Sequence, residues 1–194
     1  MSKSVRAFTL IEIMVAVSLF AIVMMVGVGA LLSMVAVNKR AQAINSVMNN
    51  LNAAVEEMSR TMRVGTTYHC ELSSVAPPPS TLVQTKDCVN GGGKLVAFEP
   101  TNGSSGNDND QTVYRINGTQ IERSKDSGAN WLALTAPEVQ ITDFQFYVTG
   151  TDSYSYPNFV QPRVLISIRG KANVPGGTTD FTVQTTVTQR LLDI

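Results

Sequence analysis

The sequence FTLIEIMVAVSLFAIVMMVGVGALLSMVAV occupies residues 8–37. It is longer than the roughly 20 residues that a helix needs to cross a bilayer. A cleavable secretory peptide has an apolar region of only about 7 to 15 residues, so we expect a membrane-spanning helix here. A short polar leader, residues 1–7, precedes it and carries Lys3 and Arg6. The basic leader is expected in the cytoplasm, with the C-terminal part of this single-pass chain on the opposite side of the membrane.

Glu12 is the only charged residue in this apolar run. A carboxylate at the bilayer centre costs on the order of 2.5 to 3.5 kcal/mol, and such residues usually have a partner and a function. A cut between Ala7 and Phe8 would leave a new α-amino group on Phe8, with Glu12 one helical turn away. The carboxylate of one subunit can then neutralise the amine of its neighbour, because low dielectric strengthens the attraction. The alternative, a plain signal anchor, leaves Glu12 unexplained.

The string RAFTLIE at residues 6–12 resembles the class III prepilin signal of the type IV pilin and type II secretion pseudopilin superfamily. The resemblance implies cleavage before Phe8 by a membrane prepilin peptidase, N-methylation of Phe8 and an assembly role for Glu12. It also implies other pilins or pseudopilins and an inner-membrane assembly platform as partners, and a final location in a pilus or pseudopilus. The family usually has glycine before the cut, where this chain has Ala7, and this departure bears on the efficiency of cleavage.

Beyond Arg40, apolar residues recur at intervals of three and four, which predicts an amphipathic continuation of the helix over residues 38–64. The apolar positions are Ile44, Val47, Met48, Leu51, Val55, Met58 and Met62. Gly65 is a plausible end of the helix. Because this stretch of the helix has one apolar face, we expect a globular domain to cover that face.

Residues 65–194 predict a β-rich domain, because short strand-like runs alternate with Gly, Pro, Asn and Asp. The strongest hairpin signal is QTVYRI-NG-TQIERS, in which Asn117–Gly118 predicts a two-residue type I′ turn. Other predicted strands are residues 95–98, 131–134, 139–148, 164–168 and 181–187. The amphipathic half of the helix can cover the sheet. We therefore predict an α+β fold, a long N-terminal helical spine packed on an antiparallel β-sheet.

The order of these segments is similar to that of J-type pseudopilins and W-type minor pilins. It consists of the hairpin ending in IERS, then NWLALTAPEVQITDFQFYV, RVLISIRGKA and FTVQTTVTQR, with Arg190 near the C-terminus. Major pilins commonly have proline where this chain has Gly29, which also favours a minor subunit. Gly27 and Gly29 are equally explained by close helix packing in the membrane. The resemblance implies a place in an initiating complex near the filament tip.

Cys70 and Cys88 are the two cysteines of the chain. Both follow the apolar run, so we expect them to form a disulfide in an oxidising compartment. His69 is the sole histidine, and we predict that it lies in a loop and faces solvent.

Composition argues against several functions. Lys and Arg number 15, Asp and Glu number 15, and the formal net charge is zero, so no nucleic acid is expected as a partner. No nucleophile–His–acid set can be assembled, and we predict neither enzyme activity nor a cofactor.

Gly91–Lys94 predicts a flexible turn. Asp108 and Asp110 are weak candidates for a Ca²⁺ site, with a solvated surface as the alternative. A filament-borne adhesin or DNA-capturing minor pilin is the alternative function.

Overall fold

The computed structural model describes residues 8–104, 106–152 and 160–190. The leader, with Ala7, lies outside the described residues. The chain divides into two compact units, Met1–Gln42 and Ala43–Ile194. Helix α1 spans Leu10–Val64, so the boundary between the units falls within it. The apolar and the amphipathic stretches of the sequence are therefore parts of one helix.

In the second unit, α1 buries one face, as its apolar spacing predicts. The buried side chains are Val47, Leu51, Ala54, Met58 and Met62. Ala54 joins them because it lies three residues after Leu51 and four before Met58, on the same face of the helix. The helix ends at Val64, after which the Gly65 N–H donates to Met62 O at 3.1 Å. A Cβ on residue 65 would collide with the Phe98 ring, so glycine is required for the close packing at this end.

Nine strands are described beyond α1, together with a short helix α2 at Pro79–Leu82 between the first two strands. They are β1 Thr66–Glu71, β2 Cys88–Gly93, β3 Leu95–Glu99, β4 Thr112–Asn117, β5 Gln120–Ser124, β6 Leu132–Ala133, β7 Val139–Thr149, β8 Arg163–Val174 and β9 Gly177–Thr188. They form two antiparallel sheets rather than one, in the orders β1-β3-β4-β5-β6 and β2-β7-β8-β9. The α+β arrangement of a long helix on antiparallel sheets is confirmed.

The buried face of α1 and both sheets share one hydrophobic cluster, which includes Leu51, Phe98 and Phe146. A smaller cluster, with Leu82 from α2 and Leu95 from β3, covers the other face of the five-stranded sheet. Every residue of β3 is buried for this reason. Strand β3 is thus the central strand of the domain, because both of its faces are covered.

The β4–β5 hairpin is confirmed, but the predicted turn is wrong by one residue. Asn117 pairs with Gln120, so the two turn residues are Gly118 and Thr119. Asn117 remains in the strand, where its Nδ2 donates to Glu122 Oε1 at 2.9 Å. Gly118 has φ of 59°, and Thr119 is not among the described non-glycine residues with positive φ. One positive φ at the first turn residue is typical of type II′ rather than type I′.

The predicted flexible turn at Gly91–Lys94 is also wrong, because Gly91, Gly92 and Gly93 belong to β2. The β2–β7 pairing shifts register between Cys88 and Gly93, and Gly91 and Gly92 have φ of 83° and 70°. A Cβ on Gly92 would lie 3.2 Å from Phe146 O, so the backbones approach closely here. The glycines thus form an irregular paired strand.

Candidate assembly site

The described part of the first unit is apolar helix that is exposed along its whole length. Every residue from 8 to 42 is exposed. The large apolar side chains of residues 8–37 are each more than half exposed, with Val15 and Val35 lowest at 51%. Among the described residues, one helix, α1, is long and apolar enough to cross a membrane, and no part of its most apolar window is buried. An apolar surface of this extent is typical of a helix that lies in lipid or among other helices.

Glu12 lies in the first turn of α1. The helix is initiated at Thr9, whose carbonyl accepts from the N–H groups of Glu12 at 3.1 Å and Ile13 at 3.3 Å. Carboxylates are stabilised by roughly 0.3–1 kcal/mol near the unpaired N–H groups of a helix start. The spacing Thr9-x-x-Glu12 is also that of a capping box, a sequence signal that the charge argument for Glu12 overlooks. Glu12 therefore suits the start of its own helix, and its side chain is exposed.

Residues 2–28 match the family model described as "Prokaryotic N-terminal methylation motif". The match supports a pilin-like protein. The matched residues include Phe8, Glu12 and most of the apolar run. Pilins and pseudopilins, the class of proteins that carries this motif, are structural. The motif implies processing by prepilin peptidase and assembly with other pilin subunits, and it fits an inner-membrane anchor together with the apolar helix. No curated protein and no solved structure matches the chain.

The expected disulfide between Cys70 and Cys88 is present and joins β1 to β2. Both cysteines are buried. Gly93 packs directly on this bond, because a Cβ there would lie 2.9 Å from Cys88 Sγ. The disulfide thus fixes the ends of the segment that carries α2.

The predicted solvent-facing loop position of His69 is wrong. His69 lies in β1 and is 2% exposed. Its Nδ1 donates to Gln84 O at 2.6 Å, and its Nε2 lies 3.0 Å from Glu71 Oε1, which also accepts from Lys86 Nζ at 2.7 Å. Burial opposes ionisation of Glu71, but the bonds from Lys86 and His69 outweigh it and lower its pKa.

His69 is buried because of a backbone pairing that could not be predicted from the sequence. Residues 84–86 run beside β1, with the Cys70 N–H donating to Lys86 O and the Lys86 N–H donating to Tyr68 O, both at 3.0 Å. His69 therefore holds this segment against β1 next to the disulfide, which is a structural role.

The two aspartates that the sequence predicts as candidates for a Ca²⁺ site have different hydrogen-bond partners. Asp110 Oδ2 accepts from the Ser104 N–H at 2.9 Å, whereas Asp108 contributes its backbone carbonyl to the Ser127 hydroxyl at 2.7 Å. Within the described part of the chain, no three or more His, Cys, Asp or Glu residues are grouped so as to hold a metal ion. Glu99 is the acidic neighbour of Asp110. Burial raises the pKa of Glu99, and charge repulsion from Asp110 raises it further. Sequence inspection missed Glu99, although a carboxylate at the end of an apolar strand is a signal.

Proposed function

We propose that this chain is a minor pilin or pseudopilin, a structural subunit that assembles into a type IV pilus or type II secretion pseudopilus and helps to initiate it. Cleavage between Ala7 and Phe8 and N-methylation of Phe8 generate the mature subunit. Residues 8–37 form the membrane and filament-core helix, residues 38–64 its amphipathic continuation, and residues 65–194 the domain outside the cytoplasm. The observation that carries the proposal is a single carboxylate at the start of an exposed apolar helix, within a methylation-motif match.

Glu12 sets the axial register between neighbouring subunits in this proposal. In a filament core of packed apolar helices, a carboxylate without a partner is costly, because few groups there can solvate it. The α-amino group of an adjoining Phe8 is a partner of opposite charge. A neighbour that slips along the helix axis separates this pair, whereas apolar contacts alone tolerate the slip.

The assignment to a minor, initiating subunit is supported by the order of the strands. The β4–β5 hairpin, β7, β8 and β9 follow one another as the J-type and W-type resemblance implies. Arg190 follows β9, and its N–H donates to Arg63 O at 2.8 Å near the end of α1. The domain then presents its outer surface to sibling subunits.

Processing is tested by mass spectrometry of the protein isolated from its host membrane or filament. We expect a chain that lacks residues 1–7 and begins with methylated Phe8. An intact N-terminus would reduce the chain to a membrane tether and contradict the proposal. A Phe8→Ala variant, analysed in parallel, identifies the methylated residue.

The charge pairing is tested by incorporation of variants into sheared filaments or pseudopili, measured by immunoblot. Glu12→Ala should reduce incorporation by about tenfold or more, because it leaves the amine of a neighbour without its partner. Glu12→Gln preserves capping but removes charge, so it should be equally defective. Ser18→Ala, a polar deletion in the same exposed helix, serves as the control. Normal incorporation of Glu12→Gln would assign Glu12 to capping alone.

A further inference from the structure

The edge strands of the two described sheets differ in how well they are protected. A sheet edge presents N–H and C=O groups that can pair with another chain, and native proteins protect it with short strands, bulges, Pro, Lys or a covering segment. Three of the four edge strands have such protection. Residues 84–86 pair with β1, strand β6 has only two residues, and the glycines of β2 interrupt its regular pairing.

Strand β9 is the fourth edge and lacks this protection. It spans Gly177–Thr188, and in the described sheet it pairs only with β8, in one unbroken register along its whole length. It contains no Pro, Lys or Arg, and Asp180 is its only charged residue. A long and regular edge of this kind is a template for pairing with a further strand.

The direction in which the backbone of β9 can form hydrogen bonds alternates along the strand. Just beyond β9, the Gln189 N–H donates to Pro162 O on the side of β8, at 3.0 Å. Hydrogen-bonded pairs of antiparallel strands recur at every second residue, so the odd-numbered residues of β9 bond to β8. The even-numbered residues from Thr178 to Thr188 direct their N–H and C=O groups away from β8, and their side chains are exposed. The outer edge of β9 is therefore regular and accessible.

The apolar face of the sheet is also less well covered at β9 than at β8. Ile166 and Ile168 of β8 are fully buried. Val183, which pairs with Ile168, and Phe181 are only partly buried against the same hydrophobic cluster. A further strand beside β9, with apolar side chains on this face, would cover both residues, and such burial contributes about 25 cal/mol per Å².

We propose that β9 is a docking edge, which accepts an extended strand from a sibling pilin subunit and so adds a fifth strand to this sheet. The main-chain groups of the added strand pair with the even-numbered residues of β9, as in strand addition generally. Its side chains alternate, apolar on the face of Phe181 and Val183 and polar on the other face. Opposite Asp180 it has Lys or Arg, because opposite charges stabilise cross-strand pairs and like charges destabilise them.

The choice of a sibling subunit as the occupant rests on the proposed function. The methylation motif implies assembly with other pilin subunits, so their domains are held beside this one at a high effective concentration. A weak main-chain contact is sufficient under these conditions. The accessibility of β9 itself does not depend on the proposed function.

The docking edge is tested with a synthetic peptide of alternating Thr and Val that carries one Lys opposite Asp180. Its binding to the full chain in detergent micelles is measured by fluorescence anisotropy, and an N-methylated form of the peptide measures adsorption to the micelles. Thr182→Pro should weaken binding by about tenfold or more, because it removes a donor from the outer edge and hinders the approach of the peptide. Thr182→Val keeps this donor and should bind normally.

Thermal unfolding shows whether the variants fold. Because the Thr182 N–H faces away from β8, Thr182→Pro should retain the β8–β9 pairing and a Tm close to that of the unmodified chain. Thr186→Pro, at a second even-numbered position, should act in the same way and provides the test if Thr182→Pro unfolds. Absence of peptide binding to the unmodified chain, or undiminished binding to a folded proline variant, would overturn the docking edge.

The charge of Asp180 supplies a second test. The unmodified chain should bind the Lys peptide about threefold more tightly than the same peptide with Asp at that position, and Asp180→Lys should reverse this preference. Equal affinities for the two peptides in both proteins would contradict the pairing register and the charge preference.

The occupant is identified by photo-crosslinking in the host membrane. A photoreactive amino acid replaces Gln184 at the outer edge or, as a control, Arg169 on the exposed face of β8. We expect an adduct from position 184, with a second protein that carries the methylation motif, and a much smaller yield from position 169. No adduct, or an adduct with another copy of this chain, would contradict the sibling assignment. The peptide assay involves no filament, so failure of the docking edge is distinguishable from failure of the assembly proposal.

Discussion

The two units of the chain use the same helix in opposite ways. Leu31 is 65% exposed, whereas Leu51, twenty positions further along α1, is fully buried. Residues 8–42 are all exposed, whereas from Val47 onward the apolar face of α1 packs on the sheets of its own domain. In the proposed function, assembly therefore depends on one set of side chains and the stability of the domain on another.

The sequence pattern accounts for this division. A helix that is apolar all round has no polar face to give to water, so it belongs in lipid or among other helices. A helix with one apolar face can be covered by a single neighbouring layer. The change from one pattern to the other follows Lys39 and Arg40, and the boundary between the units falls at Gln42 and Ala43.

The largest expected effect comes from the same substitution made in both regions. Leu51→Ala removes a fully buried side chain and should reduce the free energy of unfolding of the domain by about 2–5 kcal/mol. Leu31→Ala should leave the stability of the domain unchanged, because the Leu31 side chain is 65% exposed. Thermal unfolding of the detergent-solubilised chain measures both. A comparable loss of stability in Leu31→Ala would break the distinction between the two regions.

The disulfide should have a somewhat smaller effect, confined to the second unit. The cysteines are separated by 18 residues, and closing a loop of this size contributes about 3 kcal/mol in the chain-entropy model. Cys70→Ser together with Cys88→Ser should therefore lower the Tm of the domain. Membrane association should be unaltered in a flotation assay, since it depends on residues 8–37.

Reducing agent supplies the control for this pair. It should lower the Tm of the unmodified chain towards that of the double variant and leave the variant unchanged. A double variant as stable as the oxidised chain would show that burial around Gly93 and Tyr68 suffices without the covalent bond.

Periodic and local signals made much of the fold predictable. The apolar run, the helical face from Val47 to Met62 and the β4–β5 hairpin all follow from spacing within a few residues. The imperfect alternation in β7 also has a local cause, since the β7–β8 register shifts between Ile141 and Asp143 and allows both Ile141 and Phe144 to face the core.

Features that depend on distant partners could not be predicted in the same way. β1 shows no alternation, because three consecutive residues, Tyr68 to Cys70, are buried. The burial of His69 depends on a segment fifteen residues away, at Gln84. The turn between β8 and β9, however, could have been predicted from the sequence. Val174 pairs with Gly177 and Gly176 has φ of 91°, so Pro175–Gly176 carries a type II turn signal.

The smallest expected effect concerns Asp126 in the loop after β5. Its Oδ1 accepts from the Ser124 hydroxyl at 2.6 Å and from the Asn130 N–H at 2.9 Å, and its Oδ2 accepts from Asn130 Nδ2 at 2.6 Å. These bonds, led by that of Ser124, lower the pKa of Asp126 to about 2 from an ordinary 3.8. The stabilisation is therefore fully present above about pH 4 and disappears as the pH falls towards 2, where folded and unfolded chains bind the proton alike.

Asp126→Ala should lower Tm at pH 7 by no more than about 3 °C, because solvent screens a group in a surface loop. The difference between variant and unmodified chain should shrink towards pH 2. Asp180→Ala, at an exposed aspartate of β9, is the matched control for the loss of a surface carboxylate. A constant difference across this range would mean that Asp126 acts through packing rather than charge.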